Sequence, residues 1–162
     1  MTHTGYLGPE GTFTSMALDA WETGERAEPA PARRTAYGSV DAVLAALRGG
    51  VIDGAMVPIE NSVEGGVSAT LDALASGDPL VVTGEVLVPI TFVLAARPGT
   101  ALEQLAAVGT HSHAWAQVRG WMAENLPDAA YVPTLSTAAA AAGAAAGGQP
   151  YEAAVCAPAA AG

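Results

Sequence analysis

The sequence predicts an α/β protein. Short β-like runs alternate with amphipathic helical runs, and Gly, Ser, Thr and Asn gather at the strand-to-helix junctions. A hydrophobic content of 51% with a mean hydropathy of +0.31 supplies material for a core. Much of it is alanine, which buries little area per residue, so close helix packing and moderate stability are expected.

Thr4–Leu7 reads as a strand, Gly8-Pro9-Glu10-Gly11 as a turn and Thr12–Trp21 as a helix. Glu25–Arg34 is rich in Pro, Ala and Arg and reads as an exposed loop. A short strand over Arg34–Tyr37 leads to Ser39, an N-cap for a helix over Val40–Arg48. Val40, Val43, Leu44 and Leu47 share one face of that helix, and Gly49-Gly50 ends it. Ile52–Pro58 reads as a buried strand running into Glu60-Asn61-Ser62, with a helix near Val67–Ala75 stopped by Gly77.

Leu80–Val88 and Ile90–Ala95 both read as strands, split by Pro89, a place where the chain can cross between lobes. Ala106–Gly109 is a strand before a helix over Ser112–Asn125, whose apolar stripe is Ala114, Trp115, Val118, Trp121 and Met122. Tyr131–Leu135 is a strand, Thr137–Ala146 a helix and Glu152–Cys156 a last strand, with a further helix start from Ala157. The sequence stops inside that apolar run without a stop signal, so an incomplete domain is expected.

The net charge of −10 disfavours nucleic acid and anionic membrane as partners, since both require a basic footprint. The six basic residues are all arginine, and the absence of lysine excludes Schiff-base chemistry, a pyridoxal-phosphate lysine and a P-loop. The single cysteine, Cys156, rules out an internal disulfide and a multi-cysteine zinc site. His111 and His113 stand two apart with no third ligand nearby, so no metal site is expected. Trp115 and Trp121 fit core positions, and Cys156 lies in an apolar strand where it should be inert. No apolar run suits a membrane span, and Met1-Thr2-His3-Thr4 lacks the blocks of a signal peptide, so a soluble, cytoplasmic protein is expected.

Four junctions carry the polar residues: Gly8–Thr12, Asn61-Ser62, Thr110–Ser112 and Ser136-Thr137. In open α/β sheets ligands bind beyond the carboxyl ends of the strands. Free N–H groups at helix starts can hold an anion there without any lysine. These residue types are also ordinary helix caps, so residue pattern alone reaches a small-anion binder and goes no further.

The motifs also resemble those of a known family. Tyr6-Leu7-Gly8-Pro9-Glu10-Gly11-Thr12-Phe13 is similar to the opening signature of prephenate dehydratases, and Pro58-Ile59-Glu60-Asn61-Ser62-Val63-Glu64-Gly65 resembles their P-I-E-N-S stretch. Thr110-His111-Ser112-His113-Ala114-Trp115-Ala116-Gln117 resembles their S-H-P…Q segment, with Thr110 for the usual Ser and Ser112 for the usual Pro. Ser136-Thr137-Ala138 and Glu152–Pro158 match later segments in order.

The resemblance implies two α/β lobes like a periplasmic binding protein with a ligand cleft between them, here residues 1–80 and 81–162, lacking the return to the first lobe. It implies conversion of prephenate, a dicarboxylate, to phenylpyruvate with loss of carbon dioxide and water, in phenylalanine biosynthesis and without a cofactor. Asn61, Thr110 and Gln117 would be catalytic donors in the cleft, and Glu60 would act there or hold its loop. Gly8, Pro9, Gly11, Thr12, Ser62, His111, Ser136 and Thr137 would bind substrate. A homodimer or higher homo-oligomer is the family expectation. The family's T-R-F motif and its phenylalanine-sensing ACT domain fall outside the sequence, so the chain alone is expected to lack a catalytic group. A prephenate decarboxylase-like enzyme giving a non-aromatic product, and a non-catalytic small-anion or amino-acid-binding module, stand as alternatives.

Overall fold

A computed structural model of the chain describes residues 2–24, 33–63 and 65–161. The loop expected over Glu25–Arg34 lies almost wholly outside the described residues. The chain divides into two compact units, Met1–Val88 and Pro89–Gly162, so the division falls later than the expected one after residue 80. Leu80 itself packs on the core of the first unit.

In the first unit β1 (His3–Leu7) lies between β2 (Arg33–Tyr37) and β3 (Gly54–Met56), parallel to both. Parallel neighbours need crossovers. Helix α1 (Phe13–Thr23) separates β1 from β2, and α2 (Val40–Arg48) separates β2 from β3. The apolar spacing of α2 does what the sequence predicts: Val40, Val43 and Leu44 are buried, while Asp41 and Ala42 face out. The Ser39 Oγ caps it by accepting from Ala42 N at 3.2 Å.

After β3 the chain forms a two-rung antiparallel ribbon, β4 (Glu60–Asn61) against β5 (Gly65–Gly66), then α3 (Ser68–Ala75). A helix end leaves its last carbonyls unsatisfied. Arg48 supplies donors to that end: Nε to Asp78 O at 2.9 Å, and Nη2 to Ala73 O at 2.8 Å and Ser76 O at 2.7 Å.

The expected strand over Leu80–Val88 does not form. Residues 80–92 carry no strand, and Val81, Val82 and Leu87 are 86%, 69% and 90% exposed. Their residue types favour a strand, but a strand exists only against a partner, and this segment has no ladder among the described residues.

In the second unit the sheet order is β6-β9-β7-β8, with β6 (Val93–Ala96) antiparallel to β9 (Ala153–Cys156). Strands β7 (Ala107–Thr110), β8 (Ala130–Pro133) and β9 run parallel. Helix α4 (Ser112–Asn125) links β7 to β8, and α5 (Thr137–Ala146) links β8 to β9. Side chains alternate across a strand, so β9 feeds two cores. Ala153 and Val155 join Val108, Ala114 and Met122 on one face; Ala154 and Cys156 join Ala140, Ala141, Ala144 and Tyr151 on the other. The alanines let α5 lie close to the sheet. Tyr151 fills the space left by two glycines, since a Cβ at Gly109 would lie 2.7 Å from its ring and one at Gly143 would run into its hydroxyl. Arg97 Nη1 donates to Ala144 O near the end of α5 at 3.2 Å.

Trp121, expected in the core, is 47% exposed beside an apolar cavity of about 310 Å³ lined by Phe92, Leu94, Val118 and Met122, because α4 buries its Ala114–Met122 side instead. The helix expected from Ala157 is a single 3₁₀ turn, Pro158–Ala160. Trp115 is partly buried and stacks on Tyr131, with ring centroids 4.7 Å apart. No described helix is long and apolar enough to cross a membrane.

Candidate functional site

In each unit the polar junctions gather at one edge of the sheet, for a topological reason. Strands β1, β2 and β3 are parallel, so the segments leaving their carboxyl ends emerge on the same side. These segments are Gly8–Thr12, Gly38-Ser39 and Val57–Ser62. From sequence alone Ser39 is only a helix cap. Its place beside the Gly8 turn depends on β2 pairing with β1, which only the fold reveals.

Gly8 N donates to Tyr37 O at 2.9 Å, which ties the first turn to the end of β2. The Gly8-Pro9 peptide is cis. A Cβ at Gly8 would come within 2.7 Å of the Ala36 Cβ, so glycine is required there for close strand packing. Gly11 has φ +80, a conformation that side chains oppose. Thr12 Oγ1 donates to Leu7 O at 3.3 Å and accepts from Ser15 N at 3.2 Å, so it starts α1 and closes the turn together. Burial raises the Tyr6 phenol above its ordinary value, with nearby Glu10 adding to the effect.

Glu60 and Ser62 are exposed, and Asn61 is partly buried. Asn61 Oδ1 accepts from Val63 N at 2.9 Å, which shapes the ribbon tip as an Asx turn. That bond uses the carbonyl end of the amide, and the donors of this side chain are the N–H groups of Nδ2.

The second unit repeats the arrangement. His111–Ser112, Thr134–Thr137 and Ala157–Pro158 leave the carboxyl ends of parallel β7, β8 and β9. His111 is the N-cap of α4, its Nδ1 accepting from His113 N at 3.4 Å. Ser136 Oγ caps α5 by accepting from Ala139 N at 3.0 Å, and Thr137 is the first helical residue. Thr134, which sequence reasoning passed over, donates Oγ1–H to Ser136 O at 2.9 Å and so holds that cap in place. Gln117 is partly buried in the second turn of α4.

Thr110, expected as a cleft donor, is fully buried, and its hydroxyl donates to Val155 O at 2.7 Å. Its single proton is engaged inside the sheet.

Among the described residues, no group of three or more His, Cys, Asp and Glu is placed to hold a metal ion. His111 and His113 meet edge to face with centroids 4.8 Å apart. The Cys156 thiol is buried, and burial pushes its pKa up, which opposes nucleophilic use.

Two α/β units, each with its capped helix starts at the carboxyl edge of a parallel-stranded core, define the class of periplasmic-binding-protein-like proteins. The family model for prephenate dehydratase matches residues 4–162, and the chain belongs to the prephenate dehydratase family.

A prephenate dehydratase from Mycolicibacterium vanbaalenii is 45% identical over 155 residues, covering 91% of this chain and 50% of the relative. One from Amycolatopsis methanolica is 42% identical over 158 residues, covering 98% of this chain and 49% of the relative. The crystal structure of an Arthrobacter aurescens prephenate dehydratase in complex with L-Phe superimposes with a TM-score of 0.83 at 50% identity, covering 96% of this chain and 49% of that one. The chain thus spans about half the length of the relatives it matches.

Proposed function

We propose that this chain carries the substrate-orienting part of a prephenate dehydratase, a lyase that forms phenylpyruvate from prephenate. The observation that carries the reading is the family match over residues 4–162, with Glu60 and Asn61 of the P-I-E-N-S stretch on a ribbon that follows the carboxyl end of β3. In the reaction the ring C–carboxylate bond breaks to release carbon dioxide, and its electron pair enters the ring. The C–O bond of the ring hydroxyl then breaks, and the oxygen takes a proton and leaves as water. Aromatisation supplies the driving force, so the protein must orient two carboxylates and assist one leaving group.

The amides at the starts of α1 and α5 suit carboxylates, with Thr12, Ser62, Ser136 and Thr137 around them. Gly8, Pro9 and Gly11 shape the first of these turns, and His111 belongs to the corresponding turn at α4. Asn61 in the first unit and Gln117 in the second are side-chain amides able to donate to a substrate oxygen, and Glu60 acts beside Asn61 or holds its loop. No cofactor is required by this chemistry. The L-Phe held by the Arthrobacter relative agrees with it, because phenylpyruvate becomes phenylalanine on transamination. We further propose a cytoplasmic homodimer or higher homo-oligomer, the family's usual form, which sedimentation would check.

The test is turnover of prephenate by the longer protein that carries this chain, read as the absorbance of phenylpyruvate, with Asn61→Ala alongside. Formation of phenylpyruvate, with Asn61→Ala lower by about 100-fold, supports the reading. A folded protein that leaves prephenate untouched, or gives a non-aromatic product, overturns it.

A further inference from the structure

The β4–β5 ribbon bearing Glu60 and Asn61 has only two rungs, Glu60 opposite Gly66 and Asn61 opposite Gly65. A two-stranded hairpin is marginal in water even when longer, so this one needs an outside anchor. Its approach offers few handles: Pro58 has no N–H, which leaves its carbonyl as the one backbone group that can fix its position.

Thr70, in the first turns of α3, takes that carbonyl. Its Oγ1 donates to Pro58 O at 2.6 Å, and the residue is fully buried. One residue further on, Ile59 O accepts from Val67 N at 2.9 Å, just before α3 begins. A threonine in a helix often bonds back to a carbonyl of its own preceding turn; here the hydroxyl reaches outside the helix. Its branched Cβ allows few rotamers, so the bond is held stiffly. Helix α3 in turn packs on α2 through Ala73 with Val40 and Leu44, and Arg48 holds its far end.

From this geometry we infer that Thr70 is a positioning residue: it transmits the fixed place of α3 through Pro58 to Asn61 and Glu60. The inference rests on the proposed function for its catalytic consequence, but not for its structural one. Thr70 makes no contact with substrate; it sets where the Asn61 amide stands. A misplacement of about 1 Å at a reacting group costs on the order of 100-fold in rate.

The experiment compares Thr70→Val, which keeps the shape and removes the hydroxyl, with Thr70→Ser, which keeps the hydroxyl; Thr70→Ala serves as a second hydroxyl-free variant. Amide hydrogen exchange is followed at Val63 and Val67, whose N–H groups bond within and beside the ribbon, with the Gly8 amide as reference. Loss of the hydroxyl should speed exchange at Val63 and Val67 about 10-fold or more while Gly8 is unchanged, and serine should restore protection. Uniform acceleration at all three amides, or none, overturns the inference.

In the longer protein, kcat for prephenate should fall about 10- to 100-fold in Thr70→Val with KM nearly constant, and recover in Thr70→Ser. If the unmodified protein has no turnover, the proposed function fails while the exchange result still decides the brace. If the unmodified protein and Thr70→Val are equally active, the positioning role is overturned.

Discussion

Thr110 gives its hydroxyl proton to the carbonyl of Val155, 2.7 Å away and out of reach of solvent. The bond joins the last residue of β7 to its sheet neighbour β9 at the edge where α4 and the final 3₁₀ turn begin. Removing the hydroxyl leaves a buried carbonyl with one acceptor site unmet. Thr110→Val should lower unfolding free energy by about 1–3 kcal/mol, and Thr110→Ser by less. Urea titration at constant m-value measures this. Equal stability of Thr110→Val and the parent would mean the bond contributes nothing net.

Arg48 serves three carbonyls at the end of α3 and beyond it. A planar fork can address several acceptors from one stem, whereas an ammonium is a single point. Arg48→Lys should therefore destabilise the chain by about 1 kcal/mol, and Arg48→Met by about 2 kcal/mol. Thermal unfolding of the two variants beside the parent would show whether the order holds.

Gly143 faces the Tyr151 hydroxyl so closely that a methyl group has no room. Gly143→Ala should cost about 1–3 kcal/mol through overpacking, although alanine is the better helix former. Pairing it with Tyr151→Phe should recover part of the loss. A double-mutant cycle with no coupling would contradict this account.

Burial raises the pKa of Tyr6, Tyr151 and Cys156 in the folded state. Each group favours its neutral form when folded, while the unfolded thiol ionises from roughly pH 8.5 and the phenols from roughly pH 10. Below these values both states are protonated and the contribution is constant. As pH rises through the unfolded values toward the raised folded ones, unfolding takes up the gain from ionisation and stability falls. Denaturation midpoints should thus decline above about pH 8.5. In addition, Cys156 should resist a disulfide reagent at pH 8 until urea exposes it. Rapid modification of the native chain would show that the thiol is accessible.

The helices were the most readable part of the sequence. Ser39 and Ser136 announce α2 and α5 because an N-cap is a local event, complete within four residues. The strands needed their neighbours. Leu80–Val88 has the residue types of a strand and forms none, since pairing is settled by distant chain. The same limit applied to the site. The polar junctions could be found one by one, but their common edge follows from parallel pairing that no local pattern encodes. Thr110 looked like a ligand donor because nothing in its own segment shows that Val155 would lie beside it. Trp121 looked buried because periodicity gives a helix an apolar side without saying how far its cover extends.

The bare run at Val81, Val82 and Leu87 also bears on how the protein must be handled. Exposed apolar residues of strand-forming type, outside any sheet of their own, are a place where another chain can add. Two such segments meeting in a concentrated sample can zip together without either unit unfolding. Loss of material should then follow protein concentration more steeply than temperature, and dilution would preserve the chain better than cooling.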